Sequence, residues 1–325
     1  MSDIKIGVLT SGGDSSGMNP AIRAVTRTAL HYNIPVFGIQ RGYQGLIEDD
    51  IIELSSRSVS NIIKAGGTIL QTSRSTDFHS QEGREQAYQN LKSHDINALI
   101  VIGGDGSFHG LDLFCQEHPD IQGIGIPGTI DNDLNGTDYT IGFDTAVNVA
   151  LDAIDKIRDT ATSHNRLFLI EVMGRHAGYL ALYTGIAGGA EEILIPETIT
   201  DIKQIAQDLE LGRKKGKKSS IVIIAEGDEA GGAFLIKEQL QTHIDWDIRV
   251  SILGHLQRGG SPTAADRILA SRLGYYAVQS VLEGSSRIMV GIINDYASIT
   301  PLEDTWSTKK TINPADLTIS TILAE

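Results

Sequence analysis

An α/β fold with a mostly parallel sheet and helices on both faces is what this sequence predicts, on three observations. Apolar runs of strand length alternate with segments of helical periodicity almost from end to end. Glycine-rich turns follow several of those runs, the place where open parallel sheets bind ligands. The length, 325 residues, suits roughly two domains of ~150 residues each.

Taken in order, residues 4–9 (IKIGVL) have the pattern of a short buried strand, and 19–31 read as a helix whose first turn tolerates Pro20. Residues 34–39 are again strand-like, 82–94 helix-like, and 98–102 (ALIVI) form a buried strand ending in glycines. Phe143, Ala146, Val147, Ala150, Ile154, Ile157 and Ala161 then lie on one apolar stripe of a helix of about five turns. Residues 166–172, 192–195, 220–225, 248–253 and 288–293 are further strands, with helices near 202–211 and 264–282. Cys115 reads as an incidental helix residue, and the basic run 213–218 (RKKGKK) falls between a helix and a strand.

Composition narrows the function classes. Hydrophobic residues at 41% and charged residues at 21% are ordinary for a globular chain, which excludes disordered and fibrous classes. A net charge of -14 argues against nucleic acid or an anionic membrane as general partner, since both need a cationic face. A single cysteine excludes a disulfide framework and any cysteine-based metal cluster. The start, Met1-Ser-Asp-Ile-Lys5, has no leader pattern, and no apolar run approaches ~18 residues, so a soluble cytoplasmic protein is expected. The unusual count is 35 glycines, above an ordinary share of about 7%.

Three glycine-rich turns follow apolar runs: Ser11-Gly-Gly-Asp-Ser-Ser-Gly-Met-Asn19, Gly103-Gly-Asp-Gly-Ser107 and Gly123-Ile-Gly-Ile-Pro-Gly128. Glycine there lets backbone approach a ligand and aim N–H groups at phosphate oxygens. One such turn alone is a plain tight turn; several carrying Asp or Ser point to a phosphate site. Three motif matches fail. Gly12 and Gly17 have Walker A spacing, but Met18-Asn19 stands where Lys-Ser/Thr is needed. Gly123, Gly125 and Gly128 fit the dinucleotide fingerprint as a string but precede Thr-Ile-Asp-Asn-Asp. Asp131-Asn-Asp133-Leu-Asn135-Gly136 copies half a calcium loop, whose last position is Gly142 rather than Glu.

Asp131 and Asp133 are two apart, so on an extended strand they share a face, where they can hold a metal or divide metal binding from proton abstraction. Asp105 offers a third carboxylate beside backbone N–H donors, a set that suits Mg²⁺ on a nucleotide phosphate. Alone, Asp-Asn-Asp-Leu-Asn-Gly is a turn; with the glycine turns, phosphoryl transfer accounts for it better. Phosphorylated substrates need fixed cations, and Arg74, Arg166, Arg175, Arg249 and Arg258, the last three positions after His255, are the candidates. Any one of them alone is more often a solvated surface residue.

Five pieces in order, GGD at 12–14, GGDGS at 103–107, PGTIDND at 127–133, MGR at 173–175 and GHLQRGGSP at 254–262, resemble the bacterial type of the ATP-dependent 6-phosphofructokinase family. The resemblance runs from residue 4 to about residue 293. It implies two doubly wound, mostly parallel αβα-sandwich domains with the active site in the cleft between them: an ATP domain of 1–142 plus 257–303, and a sugar-phosphate domain of 143–256 plus 304–325. It also implies the committed step of glycolysis, transfer of the ATP γ-phosphoryl group to the 1-hydroxyl of fructose 6-phosphate. On the matching positions Asp131 would be the base, Thr129 would lie beside the moving phosphoryl, and Arg175 would stabilise its charge. Asp105 would hold Mg²⁺, with Asp133 nearby. Gly12, Tyr43, Arg74, Ser75, Gly104, Gly106 and Ser107 match the ATP side; Met173, Gly174, Glu226, His255 and Arg258 match the sugar side. Arg166 and Arg249 match arginines given by a neighbouring subunit, which implies a homo-oligomer, a tetramer by the family's pattern.

The family's pyrophosphate-dependent members carry Asp and Lys at the places of Gly106 and Gly128, so glycine at both implies ATP as donor. An effector site for ADP or phosphoenolpyruvate between subunits matches Arg23, Arg27, Arg158, Gly189, Glu191, Lys215 and Lys217, and for 213–218 a diphosphate-binding loop is favoured over a solvated basic loop. Ser56 and Ser219 stand where Arg and His are usual, which implies a weakened effector response, and Ser15-Ser16 stand in place of Ala-Pro and are expected to be tolerated. The rival readings are a pyrophosphate-dependent enzyme, a kinase of the diacylglycerol or NAD group, which shares only the GGDG turn, and a non-catalytic regulator.

Overall fold

The β-branched runs of the sequence become the strands of two parallel-type sheets. The computed structural model describes residues 4–164 and 166–324; residues 1–3, read above as leaderless, and residue 325, the end of the second expected domain, lie outside the described residues. The chain divides into two units: Met1–Ile130 with Leu134–Asp144 and Arg258–Lys310, and Asp131–Asp133 with Thr145–Gln257 and Thr311–Glu325.

Unit 1 contains β1 (Ile6–Thr10), α1 (Met18–His31), β2 (Val36–Ile39), α2 (Gly42–Ile47), β3 (Ile51–Leu54), α3 (Gln81–Ser93), β4 (Ala98–Gly103), α4 (Asp105–Glu117) and β5 (Gln122–Pro127). It resumes with α9 (Ala264–Leu282), β10 (Ile288–Ile293), β11 (Tyr296–Pro301) and α10 (Leu302–Ser307). Among the described residues its sheet has seven strands in the order β11-β10-β5-β4-β1-β2-β3. The inner strands are parallel, with Val8 opposite Ile100, and β3 and β11 close the edges antiparallel. Alternation along each strand builds two cores. Val8, Ile100 and Ile126 pack with Ile22 of α1 and Leu273 of α9. Their chain neighbours Leu9, Leu99 and Val101 pack with Leu91 of α3 and Phe108 and Leu111 of α4.

Unit 2 contains most of α5 (Phe143–His164), then β6 (Leu167–Val172), α6 (Tyr179–Gly188), β7 (Glu192–Leu194), α7 (Ile202–Lys214), β8 (Ser220–Ala225), α8 (Ala233–Gln241), β9 (Ile248–Ile252) and α11 (Pro314–Ala324). Its strands, four among the described residues, are all parallel in the order β7-β8-β6-β9. Leu169, Val222 and Ile224 bury against Ile205 and Leu209 of α7 and Ile236 and Leu240 of α8. No helix among the described residues is long and apolar enough to cross a membrane.

The expected α/β class is borne out, with two corrections of detail. Residues 123–128 are not a turn: Gly123 and Gly125 lie inside β5. A Cβ at Gly123 would overlap Cys115 Sγ, and one at Gly125 would lie 2.8 Å from Phe108 Cε1, so these glycines let α4 pack close on the sheet. Asp131 and Asp133 do not share the face of an extended strand either, because Asn132 between them takes φ +52, a left-handed conformation that asparagine tolerates.

Candidate active site

In unit 1 the strand order turns between β1 and β4, which are neighbours although β2 follows β1 in the chain. Such a switch point opens a crevice at the carboxyl ends of the strands. The turn after β1 and the turn after β4 meet there, and Ser107 Oγ donates to Ser11 Oγ at 2.9 Å. Gly104 precedes the first turn of α4, and Asp105 and Gly106 open that helix in exposed positions, where backbone N–H groups and the helix dipole favour a phosphate. Gly12 stands opposite: a Cβ there would lie 3.4 Å from Ser107 Oγ.

Tyr43, placed on the ATP side by resemblance, is a buried support. Its ring stacks on Phe78 at 4.0 Å, and its hydroxyl donates to the Ser107 carbonyl at 2.6 Å. Burial pushes its phenol well above the usual range. Ser75 Oγ donates to Gln44 Oε1 at 2.8 Å, and Arg74 beside it is exposed. Thr129 follows β5, and its carbonyl accepts from Thr140 Oγ1 at 2.6 Å.

Asn19 is a residue the sequence reading missed. It is buried in the first turn of α1, where its Nδ2 donates to the Ala65 and Gly66 carbonyls at 3.1 and 3.3 Å and its Oδ1 accepts from Ile69 N at 2.7 Å. It ties the loop leading to Arg74 onto the first glycine turn. The signal was a polar side chain on the apolar face of a helix.

Unit 2 collects the other group at the carboxyl ends of three adjacent strands: Met173 to Arg175 after β6, Glu226 after β8 and His255 after β9. Gly174 takes φ +138 and Arg175 φ +53, so the chain turns sharply out of β6. Arg175 N donates to Glu226 Oε1 at 2.8 Å, and Arg175 Nε lies 3.8 Å from Asp131 Oδ2. The two partners differ in exposure: the Asp131 side chain keeps 5% and the Arg175 side chain 54%. Met173 N donates to Gln257 Oε1 at 2.8 Å, a second residue the reading missed although it lies inside the GHLQRGGSP run. His255 is exposed. Arg258 belongs to unit 1, where its Nη1 donates to the Asp14 carbonyl at 3.1 Å.

Arg166 and Arg249 are not part of this group. They sit at the opposite, amino ends of β6 and β9, roughly 20 Å from Met173 at ~3.3 Å per residue. Both clamp Asp247, Arg166 Nε at 2.7 Å and Arg249 Nε at 3.0 Å, and hold its carboxyl below the usual range.

The effector candidates fall into two sets. Arg23 and Arg27 lie on α1 in unit 1. In unit 2, Arg158 Nη2 donates to the Gly189 carbonyl at 2.7 Å, Glu191 Oε2 accepts from Ile221 N at 2.7 Å, and Lys217 Nζ donates to the Ala324 carbonyl of α11 at 2.6 Å. Glu191, Lys215 and Lys217 line a cavity of about 370 Å³ walled on one side by Ser320, Thr321 and Ala324 of α11. Glu192 also faces it; burial, with Asp208 and Glu191 nearby, pushes its carboxyl up to about 7 against a smaller pull from Lys217.

Among the described residues no three His, Cys, Asp or Glu side chains group as a metal cage. The exposed Asp105 carboxylate nevertheless fits Mg²⁺, which takes one or two carboxylates and completes its shell with phosphate oxygens and water.

The phosphofructokinase family model matches residues 5–281. This chain belongs to the phosphofructokinase family. It is 54% identical over 320 residues, 98% of its length and 99% of the relative's, to ATP-dependent 6-phosphofructokinase 1 of Thermus thermophilus. It is 56% identical over 291 residues, 89% of each chain, to ATP-dependent 6-phosphofructokinase 2 of Bacteroides thetaiotaomicron. Phosphofructokinase from Saccharomyces cerevisiae superposes with a TM-score of 0.90 at 38% identity, covering 99% of this chain and 48% of that one, so this chain spans about half of the yeast chain. A pyrophosphate-dependent phosphofructokinase from Marinobacter aquaeolei, at 24% identity and a TM-score of 0.85 over 99% of this chain and 91% of its own, shares the fold. The expected bacterial-type phosphofructokinase family is thereby borne out, and the protein is an enzyme of the phosphotransferase class.

Proposed function

We propose that this phosphofructokinase transfers the γ-phosphoryl group of ATP to the 1-hydroxyl of fructose 6-phosphate, giving fructose 1,6-bisphosphate and ADP. The observation that carries the reading is the approach of Arg175 Nε to Asp131 Oδ2 at 3.8 Å, with the acid buried and the arginine exposed. Asp131 takes the proton as the 1-hydroxyl oxygen attacks the γ-phosphorus and the bond to ADP breaks. Arg175 faces the negative charge spread over the equatorial oxygens. Thr129 lies beside the phosphoryl in transit. A base of this kind is worth about 10²–10⁴ in rate, the rest being positioning and charge stabilisation.

Unit 1 is the ATP domain in this reading, through Gly12, Arg74, Ser75 and the turn from Gly104 to Ser107, with Tyr43 holding that turn from behind. Asp105 would hold Mg²⁺, and an ion bound there would supply neutralisation of charge on the ATP phosphates. Unit 2 is the sugar-phosphate domain, through Met173, Gly174, Arg175, Glu226 and His255; Arg258, the remaining sugar-side candidate, belongs to unit 1. Arg166 and Arg249 serve a neighbouring copy in a cytoplasmic homotetramer, and their place at the far strand ends supports that assignment. Glycine at 106 and 128 favours ATP over pyrophosphate, and the presence of both Asp131 and Asp105 disfavours a non-catalytic regulator.

Arg23, Arg27, Arg158, Gly189, Glu191, Lys215 and Lys217 serve an effector site for ADP or phosphoenolpyruvate that is shared between subunits of that oligomer. Its response is weak, because Ser56 and Ser219 supply no cation and Lys217 is already engaged by the Ala324 carbonyl. A coupled assay at varied fructose 6-phosphate, run with ATP and with pyrophosphate, tests the reaction: turnover is expected with ATP, and turnover with pyrophosphate alone refutes it. Titrating ADP and phosphoenolpyruvate against the fructose 6-phosphate curve tests regulation; strong shifts by both refute the weak response.

A further inference from the structure

We infer that Ser16 is a positioning residue for Arg258. Ser16 is buried, and its Oγ donates to the Gly260 carbonyl at 2.8 Å and lies 3.4 Å from the Arg258 carbonyl. From the other side Arg258 Nη1 donates to the Asp14 carbonyl at 3.1 Å. The first glycine turn and the segment from Arg258 to Gly260 are therefore buckled in both directions, backbone to side chain each way. Gly13 makes the buckle possible, because a Cβ there would overlap the guanidinium. Further along, Ser261 Oγ donates to the Lys64 carbonyl at 2.8 Å, so the segment is pinned at both ends.

An arginine side chain has many rotamers to lose, and fixing its backbone and guanidinium beforehand lowers the cost of seating a phosphate against it. Ser16 acts through Arg258 and touches no substrate.

The inference rests on the reading of Arg258 as a sugar-phosphate contact, and the experiment separates the two. Fructose 6-phosphate and ATP kinetics are compared for wild type, Ser16→Ala, Arg258→Ala and the double variant. Ser16→Ala is expected to raise the KM for fructose 6-phosphate about fivefold, the worth of one hydrogen bond, with kcat and the KM for ATP within about twofold. The double variant is expected to be no worse than Arg258→Ala, since neighbours that act as a unit are not additive. An unchanged KM in Ser16→Ala, or additive losses in the double variant, overturns the positioning role while leaving Arg258 as a contact. An unchanged KM in Arg258→Ala overturns the reading of Arg258 and this inference with it. If Ser16→Ala fails to fold, the isosteric pair Ser16→Thr and Ser16→Val carries the same comparison: Thr is expected to keep the KM, and equal losses in both overturn the role.

Discussion

Arg175 Nε lies 3.8 Å from Asp131 Oδ2, and the arginine's own backbone N–H is held by Glu226 Oε1 at 2.8 Å. The side chain that would meet phosphoryl charge is thus aimed at the acid that would take the proton, by a turn in which Gly174 and Arg175 both adopt positive φ.

Replacing Asp131 by Ser should lower kcat at least ~10²-fold while ATP still binds, because the base is lost and the nucleotide side in unit 1 is untouched. Steady-state kinetics with an ATP-binding measurement reads both. Near-normal turnover would remove Asp131 as the base.

A single change at Gly106 tests the choice of phosphoryl donor. Gly106 is exposed with no atom within 4 Å of where its Cβ would sit, so Gly106→Asp should fold normally and place a carboxylate where ATP phosphate is expected. The KM for ATP should rise about tenfold or more, from lost space and like charge. Gly128 is a poorer test, since a Cβ there would lie 2.9 Å from Ile102 Cγ2 and strain the core. ATP kinetics in Gly106→Asp that match wild type would sink the argument.

Ser15 Oγ is fully buried and, among the described residues, has no hydrogen-bond partner. A buried hydroxyl left in that state costs about 1–3 kcal/mol. Ser15→Ala should therefore raise stability by about 1 kcal/mol without altering kinetics, as read by urea melts. A loss of stability would show that the hydroxyl is engaged.

Glu192 gives a pH signature. Its carboxyl is pushed from the ordinary 4.5 up to about 7, so between those values the folded state holds a proton that the unfolded chain releases. The stability this provides is fully present below about 4.5 and is lost as pH rises through about 7. Glu192→Gln should erase that decline, so the variant gains on wild type as pH rises from 5 to 8, with a slope of at most ~1.4 kcal/mol per pH unit. A stability difference independent of pH would contradict the shift.

Much of this protein was legible in the sequence alone. Apolar runs such as residues 98–102 became strands because burying a β-branched run needs no knowledge of its partner, and the stripe from Phe143 to Ala161 became α5 for the same local reason. The motif residues from Gly103 to Ser107 and from Met173 to Arg175 were also readable, being contiguous pieces whose chemistry is carried by residue type. What the tertiary structure decided was which pieces meet. Strand order put the turns after β1 and β4 side by side, so that Ser107 and Ser11 bond although they are far apart in sequence. The parallel pairing of β6 with β9 brought Arg166 and Arg249 together at the ends opposite those that carry Met173 and His255. Strand order also made Gly123 and Gly125 part of a strand, since the need for close approach came from Cys115 and Phe108 on a helix lying across the sheet. Local periodicity specifies an element, but contacts between distant elements depend on strand order and register, which no local pattern encodes.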